Sequence, residues 1–132
     1  MLDESILGSI KKLLGLDGDY DAFDQDVAIH INSALASLTQ LGIGPANGFM
    51  ITGSQETWQQ LLQDNDPQTL QNVKTFVYIN VKKVFDPPGA SNHLTALDDV
   101  LKETTWRISV RREEAKRESD IGILNQGLRG LP

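Results

Sequence analysis

Residues 66–88 read DPQTLQNVKTFVYINVKKVFDPP, and how this stretch folds decides the class of the whole chain. Its β-branched and aromatic residues suit a strand. Their spacing does not. Leu70, Val73, Val77, Val81 and Val84 recur every three or four residues over about five turns, with Phe76 and Phe85 alongside, which is the period of a helix. Asp66-Pro67 is a start signal, an N-cap followed by proline at the first helical position. Pro87-Pro88 stops the helix, because neither residue has an N–H to donate.

The flanks read in the same way. A first helix is expected from Asp3, as N-cap, to Leu14, with Gly15 at C′; Leu2, Ile6, Leu7, Ile10, Leu13 and Leu14 form its apolar stripe. A second starts near Asp21 and carries Phe23, Val27, Ile31, Leu35 and Leu38 to a stop at Gly42. GIGPANG at 42–48 is then an irregular connection. Phe49-Met50-Ile51 is at most one very short strand. Ser54 is read as the cap of a short third helix with Trp58, Leu61 and Leu62. Ser91 or Asn92 opens the last, with Leu94, Leu97, Leu101 and Ile108 inward, Val100 with them and Trp106 nearby. That helix is expected to run to Ser119, a rod of roughly 40 Å at about 1.5 Å per residue, without an apolar stripe beyond Val110. The fold class is therefore all-α: about five helices, the last one long. Residues 1–119 form the helical domain. Residues 120–132, with three glycines and a final proline, are expected to be an extended tail that orders on a partner.

Composition narrows the functions. The chain has 132 residues, 39% of them hydrophobic and 6% aromatic, enough for one domain with an aliphatic core. With no cysteine, disulfides, thiolate metal sites and cysteine nucleophiles are excluded. No apolar run approaches the ~18 residues that a membrane span needs. MLDESILGSIKKLLGL reads as an amphipathic helix and not a signal peptide, so a soluble, intracellular origin is expected. The net charge of −6 is uneven: residues 1–100 hold 13 acids and 5 bases, residues 101–132 hold 5 acids and 7 bases. An acidic body is a poor binder of nucleic acid, where affinity comes from neutralised phosphates.

Residues 17–26, DGDYDAFDQD, hold five aspartates. Counted as an EF-hand loop from Asp17, Asp19 and Asp21 fall on ligand positions, but Ala22 replaces the glycine and Ala28 the bidentate glutamate. Turn and cap chemistry fits better: Asp17-Gly18 makes the turn, Asp21 caps the second helix and Asp24 stands where the acid of a capping box would. Asp26 adds to the acidic first turn. His30 and His93 have no His or Glu at ligand spacing, and a half-buried structural role is expected for His30. No nucleophile elbow, P-loop or dinucleotide fingerprint is present. The residues point to no enzyme and no cofactor. RREEAKRE, which alternates in sign, reads as a solvated or intersubunit face.

Three stretches, FDQDVAIHINSALASLTQLGIGP, VKTFVYINVKKVFDPP and LDDVLKETTWRISVRREE, resemble the head–tail connector (adaptor, or head-completion) proteins of tailed bacteriophages. The likeness covers about residues 2–115. It implies a structural virion protein at the head–tail interface, assembled in the host bacterial cytoplasm. Its subunits would form a ring of about twelve copies beneath the portal protein and extend the DNA channel. Further expected partners are the next connector, a stopper or a tail-completion protein. DNA would pass without specific binding, and no membrane is involved. The expected portal-binding residues are Ile121, Ile123, Leu124, Leu128, Arg129 and Leu131. The expected subunit interface comprises Arg107, Arg111, Arg112, Glu113, Glu114 and Arg117. Asp17, Asp19, Asp21, Asp24 and Asp26 would recur as an acidic belt or line the lumen. The alternative is a small acidic binding or regulatory module sensitive to Ca²⁺ through Asp17, Asp19 and Asp21.

Overall fold

The computed structural model describes residues 4–63, 66–85 and 91–129, with side chains except those of 91, 92, 119 and 122–129. Its elements are α1 (Ile6–Leu13), α2 (Asp24–Gln40), α3 (Trp58–Leu62), α4 (Pro67–Phe85) and α5 (Ser91–Arg129). Among the described residues there is no strand, only one isolated antiparallel bridge between Ser5 and Thr57. The fold is the expected all-α bundle.

Residues 67–85 are helical, and α4 is the central element. Leu70, Val73, Phe76, Val77, Ile79 and Val81 are all buried on it. That arc is wider than one stripe because α4 packs against α2 on one side and α5 on the other, while α2 and α5 scarcely touch. Ile79 was not part of the predicted stripe, and Val84, which was, is 61% exposed at the open end of the helix. α1 packs on both α2 and α4 through Ile6, Leu7 and Ile10. Leu13, predicted to be inward, is exposed. Asp3, Leu2 and Pro87-Pro88 lie outside the described residues.

Two helix ends share one device. After α1, Gly15 N–H donates to the Lys12 carbonyl and Leu16 N–H to the Lys11 carbonyl. After α2, Gly42 donates to Thr39 and Ile43 to Leu38. Both are Schellman closures, which need a left-handed residue at C′; Gly15 and Gly42 supply φ of 80° and 84°.

Several starts differ from expectation. Ser5 caps α1, its hydroxyl accepting from Gly8 N–H at 3.0 Å. α2 begins at Asp24, three residues after the predicted Asp21, with Phe23 at the cap and no side-chain cap bond. The reason is packing: Phe23 turns edge-on to Phe85 and Tyr20 and stays outside the helix, 40% exposed. Thr57, not Ser54, caps α3, in a reciprocal capping box with Gln60. Phe49-Met50-Ile51 pairs with no strand. Instead the Asn32 side chain accepts from Ile51 N–H at 2.8 Å and donates to its carbonyl at 3.0 Å, as a neighbouring strand would. Ile51 is thereby buried against α2, and Met50 is left 70% exposed.

The largest correction concerns the C-terminus. α5 does not stop near Ser119 to leave an extended tail; it continues to Arg129 as one helix of 39 residues, about 58 Å long. Gly122 and Gly127 each cost roughly 1 kcal/mol in a helix, but a helix already nucleated gains one hydrogen bond for each residue added.

Candidate functional site

Two surfaces are candidates: the acidic corner before α2 and the long α5. The corner is built by the Schellman turn after α1, which sends residues 16–23 across the end of the bundle. Asp17 Oδ1 accepts from Asp19 N–H at 3.1 Å, an Asx turn. Asp17, Asp19, Asp21 and Asp26 are exposed. Asp24 is not one of a free set. The Lys11 Nζ, on a side chain almost wholly buried, lies 2.9 Å from Asp24 Oδ1. The contact is an ion pair without hydrogen-bond alignment; Lys11 aims its N–H at the Gly18 carbonyl, 3.2 Å away. Lys11 thus pins both ends of the acidic turn. Its role could not be read from a helix stripe that places it on the polar side. Among the described residues, no group of three or more His, Cys, Asp or Glu is placed to hold a metal ion.

α5 enters the bundle along α4 in the opposite direction. Ile108 and Thr104 are buried, and Leu94, Leu97 and Leu101 are half-buried. Val100, expected inward, is 44% exposed. Lys83 of α4 pairs with Asp98 near the start of α5 at 2.5 Å, and Asp66 at the other end of α4 accepts from Arg111 Nε at 2.6 Å. Asp66 does cap α4, accepting from Gln68 N–H at 3.2 Å and from the Thr69 hydroxyl at 2.7 Å. The Arg111 hydrogen bond holds the Asp66 carboxyl below the usual carboxylate range.

Past Arg111 the helix faces solvent, with Arg112, Glu114, Ala115 and Glu118 along a cleft that Gly42, Pro45 and Gln63 also line. Residues 112–118, 120 and 121 are all exposed. Eighteen residues of α5, 112–129, follow Arg111 and span about 27 Å. The expected interface residues therefore divide. Arg107 is engaged by Glu103 within α5 at 2.5 Å, Arg111 by Asp66, and Arg112 lies over the C-terminus of α2 at Gly42. Glu113, Glu114 and Arg117 lie on the exposed arm. Of the expected portal-binding residues, Ile121 is 55% exposed. The side chains of Ile123, Leu124, Leu128 and Arg129, and all of Leu131, lie outside the described residues.

A model of the family described as phage connector protein matches residues 6–115. The chain belongs to that family. No curated protein and no solved structure matches the chain. Membership carries a connector-type structural role in a phage particle, in a family that is structural and not enzymatic. The matched span takes in the bundle and ends within α5. No helix among the described residues is long and apolar enough to cross a membrane.

Trp106 is the large side chain of α5 that sequence reasoning placed least well. Set there only near the inward residues, it is 65% exposed beside a groove between α4 and α5. The missing signal was angular: in α5 it lies two residues before Ile108, on the opposite side of the helix from that buried side chain.

Proposed function

We propose that the chain is a head–tail connector, or adaptor, that assembles into a ring of about twelve copies beneath the portal protein. The ring extends the DNA channel and joins the capsid to the next connector, stopper or tail-completion protein. The virion's head–tail interface is its place of work, and the host bacterial cytoplasm its place of assembly. The observation that carries this reading is the α5 arm. A helix end whose residues 113–118, 120 and 121 are all exposed is suited to reach a neighbouring protein.

The portal is assigned to residues 120–132. Ile121, Leu124 and Leu128 recur in sequence at three- and four-residue spacing, the pattern by which a helix presents anchors to a groove. Ile123, Arg129 and Leu131 belong to the same segment. Repetition around a ring multiplies a weak single contact. Asp17, Asp19 and Asp21, exposed and clustered, recur around the ring as an acidic belt, past which DNA slides without phosphate-binding sites.

Electron microscopy of the purified chain mixed with its portal tests this. Rings seated on the portal are expected, and a chain ending at residue 119 should no longer seat. Monomers that bind neither portal nor procapsid would overturn the reading.

A further inference from the structure

We infer that the outer face of α5 in one copy packs on the outer face of α2 in the next. The inference rests on the ring reading for its context and on two surfaces for its residues. On α5, Trp106 is 65% exposed, whereas Trp58 is fully buried. Trp106 borders a groove of about 420 Å³ whose lining includes Val110 of α5 and Gln68 and Gln71 of α4. An exposed tryptophan at an open groove is the residue type that anchors protein interfaces.

The occupant is a second copy on two grounds. The first is the placement of faces. α2 turns Ile29 outward at 61% exposure, with Ser33 and Ala36, both exposed, four and seven residues further on. One large apolar side chain followed by small ones leaves space for an aromatic ring. Because α2 and α5 pack on α4 and scarcely meet, neither face can cover the other within one chain. Contact between copies covers both, and it is heterologous: each copy gives one face and receives on the other. The second ground is charge. Residues 15–40 hold five acids and no lysine or arginine, and residues 102–117 hold six bases and three acids. α5 therefore attracts the α2 side of a neighbour and repels another α5, which favours the head-to-tail pairing over a two-fold one.

The absence of cysteine makes the test clean. Full-length Ser33→Cys and Val110→Cys chains are mixed under mild oxidation. The mixture should give a disulfide dimer that neither variant gives alone, and the double variant a ladder of dimers, trimers and larger products. Trp106→Ala should weaken self-association about tenfold or more in sedimentation velocity, as loss of an anchor does, while its melting temperature stays at the wild-type value. A dimer joined through Val110 on both chains would overturn the pairing. So would rings, free or on the portal, that give no Ser33–Val110 product; these would leave the ring reading intact. A chain that gives no such product and forms no ring even with the portal would overturn both.

Discussion

Arg111 Nε donates to Asp66 Oδ2 at 2.6 Å, and this contact ties α5 to the first turn of α4. Asp66 serves two helices: it caps α4 and holds α5 by its charge. The substitutions separate these duties. Asp66→Asn keeps a capping oxygen and loses the ion pair, so it should cost under about 1 kcal/mol, as partly exposed pairs do. Asp66→Ala loses both and should cost about 1–2 kcal/mol. Equilibrium denaturation in urea reads the difference. Equal costs would mean that the cap contributes nothing.

The acid side of the stability profile follows from three carboxyls. Asp66 is held low by Arg111, Glu4 by the Lys74 hydrogen bond and Glu56 by that of Thr52. Each has a folded pKa below its unfolded value. Its contribution is therefore complete above the unfolded value, about 4, and is lost as pH falls through the folded one. Melting temperature should be flat from pH 7 to about 5 with respect to these groups and fall below about 4. The fall should be shallower in Asp66→Asn. A variant with the wild-type slope would remove Asp66 from this account.

Gly42 is held at a φ of 84°, and a Cβ built there would lie 2.8 Å from Arg112 Nε. Gly42→Ala meets two penalties, the left-handed backbone, about 1–2 kcal/mol, and the guanidinium. Arg112 sits on a flexible side chain that can move. Arg112→Ala in the Gly42→Ala background should therefore restore little, leaving at least about 1 kcal/mol of loss from backbone strain. Full restoration, measured by thermal unfolding, would place the whole cost in the clash.

The bundle is legible in the sequence because its signals are local. The 3.6-residue period outweighed the β-branched content of residues 70–84, and Asp66-Pro67 and the two Schellman glycines fall where predicted. What escaped is non-local. Phe23 left α2 because Phe85, 62 positions away, offers an aromatic edge. Ser54 yielded to Thr57 as a cap because Ile6 N–H donates to the Glu56 carbonyl and Trp58 N–H to that of Glu4, which sets the register of α3 against α1. Residues 120–129 read as an extended tail because glycine content was weighed without the helix already running into them. The candidate surface was half legible. RREEAKRE marked the arm, yet its first two residues, Arg111 and Arg112, and Arg107 before it are engaged within the chain.

Lys11 offers the sharpest test of how the acidic corner is held. Its Nζ, in a residue only 4% exposed, has the Asp24 carboxylate at 2.9 Å and the Gly18 carbonyl at 3.2 Å. Lys11→Met keeps the packing of the stem but leaves a buried carboxylate oxygen and a carbonyl without their partner, at a cost of about 1–3 kcal/mol. Asp24→Ala should cost at least as much, because the group stranded is then a buried ammonium. If the two act through each other, the Lys11→Met/Asp24→Ala chain is more stable than the summed single losses by about 0.5–3 kcal/mol. Urea denaturation of the four chains measures that coupling. Additive losses would mean that Lys11 holds the corner through Gly18 and its packed stem alone, with Asp24 as free to face a partner as Asp17, Asp19 and Asp21.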